Sequence, residues 1–232
     1  MNPMQPILLI RACAAFVLVF LCSMHIQAAG NADVLLQIVQ QCVDKQQPQY
    51  CEKCRTPLYS ASCAGKNTCE STIDVWAENS DYVAIRDIKM CGCPAEFVHG
   101  LVLPKAVITG VEDQRRPDSI WQFAWNVAVE RMAINDIALA VNSQSKRTQN
   151  QLHIHLVRLK SSQSALLEAH VVGHTADLNA VWQLAEQAAK SRGMSEYGVL
   201  VAADADKGFK VALTAQNLSP EGQFTHAVCA SK

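Results

Sequence analysis

Aromatic residues are only 6% of this 232-residue chain, there are 8 prolines and 10 glycines, and neither sign of charge is in excess. So little proline and glycine excludes a collagen-like repeat, and no Gly/Ser-rich or Pro-rich linker divides the chain into independent units. With 20 Lys+Arg against 21 Asp+Glu the formal net charge is -1. No global positive field recruits nucleic acid and no acidic tail is present, so binding must come from a local site. Internal repeats are absent. Beyond the first thirty residues no segment approaches a membrane-spanning length. Hydrophobic residues, by contrast, make up 50% of the chain, which supports a folded core and excludes a disordered polymer.

The first thirty residues carry one charge, Arg11, then an uncharged run from Ala12 to Met24 and a small-residue exit, Gln27-Ala28-Ala29-Gly30. Its 13 residues fall inside the range of a signal-peptide core. Ile7 to Ile10 are also apolar, so an uncleaved anchor from Pro6 to Ile26 with a snorkelling arginine fits as well. Either way the chain is expected to be exported.

Without Cys13 and Cys22, eight cysteines remain: Cys42, Cys51, Cys54, Cys63, Cys69, Cys91, Cys93 and Cys229. An even number in an exported chain reads as a disulfide framework whose pairing the sequence does not choose. Zinc held by Cys51-x-x-Cys54 and Cys91-x-Cys93 is the rival reading. The chain thus divides into three regions: a leader at 1–29, a Cys-rich helical and turn-rich extension at 30–81, and a catalytic domain at 82–232.

Helical spacing of Val34, Leu35, Ile38, Val39 and Val43 predicts an amphipathic helix within Asn31–Lys45. Strands are expected over Tyr82–Ile88, Phe97–Leu103, Ile137–Val141, Gln151–Leu159, Tyr197–Ala203 and Phe209–Thr214. A helix opened by Pro117-Asp118-Ser119 carries Trp121, Trp125, Ala128, Val129 and Met132 on a core-facing side, and another runs from Leu178 to Gly193. Antiparallel strands with interleaved helices define an α+β fold.

The chemistry concentrates after Val141. Asn142 to Asn150 is a polar loop of nine residues without a hydrophobic side chain. The next strand alternates, with Leu152, Ile154 and Leu156 on one face and Gln151, His153 and His155 on the other. Two imidazoles so spaced stand about 7 Å apart on one face and can address one ligand. Such a pair can hold a metal, but no carboxylate comes soon after it; Glu168, His170 and His174 are the nearest candidates downstream. It can also attack phosphorus, given a fixed tautomer and donors for the phosphoryl oxygens. Arg147 offers a planar fork for phosphate, and Ser143, Thr148, Gln149, Asn150 and the loop amides offer neutral donors.

Gln151-Leu152-His153-Ile154-His155-Leu156-Val157 resembles the signature His-φ-His-φ-His-φ-φ, φ being apolar, of the histidine-triad (HIT-like) superfamily of nucleotide hydrolases and transferases. The run from Ala138 to Ser143, with Arg147 to His155 after it, resembles the bacterial CDP-diacylglycerol pyrophosphatase branch. Leu101-Val102-Leu103-Pro104-Lys105 is similar to a strand end upstream in the same superfamily. The resemblance spans Tyr82 to Asn217. It implies a HIT-like antiparallel sheet with flanking helices and a protein of the bacterial inner membrane facing the periplasm, with a soluble periplasmic form if the leader is cleaved. The implied reaction needs no cofactor or metal and hydrolyses CDP-diacylglycerol to CMP and phosphatidate through a nucleotidyl-histidine. His153 is then the nucleophile and His155 a phosphate contact, with Asn142, Ser143, Arg147, Thr148, Gln149, Asn150 and Gln151 as the phosphate-binding set. Two departures stand out: Gln151 replaces the first histidine, and Lys146 stands where this branch tends to have glycine. Hydrolysis or transfer on soluble nucleotides, and a non-catalytic metal module using His153 and His155, are the other readings the residues leave open.

Overall fold

The computed structural model describes residues 32–43, 75–90 and 93–229. The leader and residues 44–74 of the Cys-rich extension lie outside these residues. Eight strands form one antiparallel sheet: β1 (Val75–Glu78), β2 (Tyr82–Arg86), β3 (His99–Pro104), β4 (Ile137–Val141), β5 (Ile154–Arg158), β6 (Val171–Thr175), β7 (Tyr197–Asp204) and β8 (Gly208–Ala215). Their spatial order is β1-β2-β3-β5-β4-β7-β8-β6. The expected α+β class with an antiparallel sheet is therefore observed.

Alternation along the strands gives the sheet two apolar faces. On the first, Val102, Leu139, Val141, Ile154, Leu156, Val199 and Val201 pack under α2 (Ile120–Val129) and α4 (Val181–Ser191). Trp121 and Trp125 are core residues there, edge-on to Trp182 at 4.7 Å and Phe209 at 4.8 Å between ring centroids. Gly193, at φ 63°, ends α4 in the left-handed region, where a side chain would be strained. α2 stops at Val129, earlier than its apolar spacing suggests.

The second face is split into two patches. Val83, Ile85, Leu101 and Leu103 lie under α1 (Val34–Gln37) and the wider helical turn Ile38–Cys42 that continues it. Ala138, Ala140, Val157, Leu200, Ala202 and Ala212 lie under α3 (Ser164–Glu168) and α5 (Pro220–Phe224), which contribute Leu167 and Phe224. The histidines sit at the seam between these patches.

β1 and β6 are not evident in the sequence. Both are edge strands, short and at best half-buried, so neither carries the two-sided apolar pattern of a central strand. β6 carries His174, one of the downstream candidates, and His170 immediately precedes the strand. β5 begins at Ile154, three residues after the point the alternation predicts. Leu152 instead donates its N–H to the Ile108 carbonyl, outside the ladder. One disulfide is described, Cys93–Cys229. The pairing of the other cysteines lies outside the described residues and side chains.

Candidate active site

β3 and β5 are antiparallel neighbours with Leu101 opposite His155 and His99 opposite Val157. Because Ile154 and Leu156 turn into the first core, His155 and His99 emerge together on the second face, with His153 beside them. All three imidazoles are buried: His99 is 0% exposed, His155 4% and His153 7%.

His153 Nδ1 lies 2.7 Å from the backbone carbonyl of Gln151. A carbonyl can only accept, so Nδ1 carries the proton and the neutral ring presents an unprotonated Nε2. Burial, only partly offset by that carbonyl, Glu221 and Asp87, holds the His153 pKa below the ordinary imidazole value. A nucleophilic nitrogen is thereby available at neutral pH.

His99 donates from Nδ1 to the Ala227 carbonyl at 3.0 Å, which leaves its Nε2 facing His155 Nδ1 at 3.0 Å. With both rings neutral, His155 Nδ1 is the donor and its Nε2 accepts from Asn142 Nδ2 at 3.4 Å. If the pair takes up a proton, His155 Nε2–H can instead donate to Glu221 Oε2 at 3.2 Å, while His99 lies 3.4 Å from Asp87 Oδ2 and from Glu221 Oε1. Burial lowers both imidazole pKa values. His155 is pushed well down, further opposed by His153, His99 and Lys89.

Glu221, on α5, ties this cluster together. It receives Lys89 Nζ at 2.5 Å and Asn142 Nδ2 at 2.9 Å, and Asn142 Oδ1 in turn accepts from Ser219 Oγ at 2.7 Å. Burial alone would raise the Glu221 pKa, but Lys89, His99 and Asn142 hold it below the usual carboxylate range. The carboxylate is therefore ionised at neutral pH.

The histidines open onto a cavity of about 220 Å³ walled by Val34, Leu35, Ile85, Arg86, Asp87, Ile88, Lys89, Leu101, Thr148, Gln149, His153 and His155. Its lining combines the apolar Val34, Leu35, Ile85, Ile88 and Leu101 with the cations Arg86 and Lys89. Of the expected phosphate-binding set, Thr148 and Gln149 reach the wall. Arg147 does not: its guanidinium makes two contacts of 2.7 Å to Glu112, lying across Gly110 where a Cβ would stand 2.1 Å from Nη1. Gln151 spends both amide hydrogens on the carbonyls of Pro104 (2.8 Å) and Ala106 (2.7 Å), so it secures the end of β3. Asn150 bonds Asp33, and Ser143 closes its loop on Ser145 and Gln216. Asn142 sits among the histidines as a support for His155 and Glu221.

Asp87, His99 and His155 each offer one ligand atom, all within 4.8 Å, and could hold a divalent cation. This set differs from the expected His153 and His155 pair. The same nitrogens also satisfy one another across the His99–His155 hydrogen bond, and the ammonium of Lys89 on Glu221 opposes a further positive charge nearby. His99, Asp87, Lys89, Ser219 and Glu221 are not evident as site residues in the sequence. An imidazole inside the apolar run Phe97–Leu103 is a signal for His99; Glu221, 66 positions beyond His155, gives none.

Fold and site together define an α+β protein that presents a neutral imidazole of fixed tautomer beside two cations, equipment suited to attack on a phosphoryl centre. A model of the CDP-diacylglycerol pyrophosphatase family matches residues 30–188, and the chain belongs to that family. It is similar to the CDP-diacylglycerol pyrophosphatase of Yersinia pestis, with 36% identity over 94 residues, 36% of this chain. The match spans 35% of that relative's length.

Proposed function

We propose that the protein hydrolyses CDP-diacylglycerol to CMP and phosphatidate, with His153 as the nucleophile on a histidine-triad-like fold. Nε2 forms a bond to the cytidine-side phosphorus while the bridging oxygen departs with its electron pair on phosphatidate. Water then attacks the nucleotidyl-histidine, and the P–N electrons return to Nε2. The His99–His155–Glu221 chain can hold the proton that water gives up. Arg86, Lys89, Thr148 and Gln149 receive the phosphoryl oxygens, each charged contact being worth roughly 1.5–3 kcal/mol. No step needs a metal.

The observation that carries this reading is the 2.7 Å bond from His153 to the Gln151 carbonyl, which leaves Nε2 unprotonated at the cavity. The cavity, about 220 Å³, suits the reacting diphosphate and its immediate neighbours, with the acyl chains outside. The apolar wall of Val34, Leu35, Ile85 and Leu101 fits the glycerol-ester side. The Cys93–Cys229 disulfide supports export to an oxidising compartment at the membrane surface where such a lipid lies.

The test is CMP release from labelled CDP-diacylglycerol in mixed micelles containing EDTA, with His153→Ala as control. Turnover that the variant abolishes supports the proposal. Turnover confined to water-soluble nucleotides overturns the lipid substrate, and activity that needs an added divalent cation overturns the metal-free scheme.

A further inference from the structure

We infer that the Cys93–Cys229 disulfide is a positioning element of the active site, holding the Ala227 carbonyl on His99 and thereby setting the tautomers of the His99–His155 pair. This rests on the proposed role of that pair beside the nucleophile.

The chain beyond Thr225, which is buried and bonds the Glu221 carbonyl, is lightly held. Thr225 forms an isolated bridge with Leu159, and His226 N–H donates to Arg158. Among the described residues, that is the last backbone hydrogen bond of the tail. Ala227 is half-buried and Val228 is 72% exposed, so packing does little to fix the segment. Yet the Ala227 carbonyl is the acceptor for a fully buried imidazole at 3.0 Å. Two residues further along stands Cys229, joined to Cys93 across 136 positions.

The other end of the disulfide lies beside the backbone of a cavity residue. Cys93 N–H donates to the Met90 carbonyl, and its sulfur lies 3.2 Å from the Lys89 carbonyl oxygen. Lys89 in turn reaches Glu221. The disulfide therefore staples the segment that follows Asp87 and Lys89 to the tail that carries Ala227.

The consequence is a choice of tautomer. With the carbonyl in place, His99 is protonated at Nδ1, His155 donates from Nδ1, and His155 Nε2 is a lone pair facing Asn142 Nδ2. Without it, His99 no longer has an acceptor at Nδ1, and its proton can move to Nε2. The hydrogen bond to His155 then reverses, and His155 Nε2 changes from a lone pair facing Asn142 Nδ2 to an N–H that donates to Glu221 Oε2 at 3.2 Å, so it no longer accepts a proton. Opening the disulfide takes two electrons and two protons from a dithiol, which leaves as its own disulfide while Cys93 and Cys229 become thiols.

The experiment uses the full chain and a Cys93→Ser/Cys229→Ser double variant, read by nitrogen NMR of the imidazoles and by kinetics on CDP-diacylglycerol. The expected result is a shift of the His99 and His155 ring nitrogens to the reversed tautomer pattern, with kcat reduced about 10–100-fold and KM changed far less. Unchanged ring-nitrogen signals overturn the inference, even if activity falls, since the disulfide is then only structural. If the double variant fails to fold, the folded wild type is reduced gently with a dithiol. Alkylation mapping identifies the stage at which Cys93 and Cys229 have opened, and the same spectra are compared there. A wild type without lipid turnover would sink the proposed function, whereas the tautomer signals would still decide this inference.

Discussion

Replacing Glu221 with Gln keeps the shape of the side chain and removes its charge, and the structure fixes what that does. The carboxylate holds Lys89 at 2.5 Å and Asn142 at 2.9 Å, and lies 3.2 Å from His155 and 3.4 Å from His99. Turning the buried Asn142 bond from charge-assisted to neutral costs about 1 kcal/mol. The Lys89 side chain is 39% exposed, so its loss is screened by solvent and adds at most about 1 kcal/mol. The sum of roughly 1–2 kcal/mol lowers Tm by about 2–8 °C in a chain of this size. The kinetic signature is more specific. Glu221 raises the His153 pKa by favouring its cation. Without that charge, the neutral and nucleophilic form persists to lower pH. The acid limb of kcat/KM, measured over about pH 4 to 8, therefore moves down in Glu221→Gln. An unmoved limb, or one shifted upward, would refute the electrostatic link between Glu221 and His153.

Arg147→Ala should leave kcat/KM within about threefold of wild type, because the guanidinium is committed to Glu112 outside the cavity, whereas Lys89→Ala should reduce it about 10²–10³-fold. Steady-state kinetics on the two variants ranks the two cations, and the reverse order contradicts this placement. Gln151→Ala leaves the buried Pro104 carbonyl without its donor and should cost about 1–3 kcal/mol in urea unfolding, with activity nearly intact. Loss of activity without loss of stability would return Gln151 to the phosphate. His99, His153 and His155 all have pKa values depressed below 6.5. Between 6.5 and those lower values the unfolded chain binds protons that the folded chain refuses. Stability is thus fully present above pH 6.5 and falls as pH drops below it, which urea midpoints across that window would register.

The strands of the sheet centre were legible in the sequence because they are buried on both faces and bounded by polar turns. β1 and β6 were not, because an edge strand needs little apolar surface. The alternation from Leu152 to Leu156 correctly separates the core residues from the imidazoles. Proximity in sequence was a poorer guide to the cations. Arg147, six positions before His153, turns to Glu112, while Arg86 and Lys89 reach the cavity through the pairing of β2 with β3. Glu221 and Ala227 enter only through the chain's return to the β3–β5 seam, a tertiary event with no local signature.

The central claim is that His153 bonds transiently to phosphorus. Rapid acid-free quenching of enzyme mixed with CDP-diacylglycerol, then mass spectrometry of the peptide containing Leu152 to Leu156, tests it most directly. A cytidylyl group on His153 that forms and decays at the turnover rate is the expected result. An adduct on a different residue, or single-turnover CMP release with no adduct at any time, would contradict the claim.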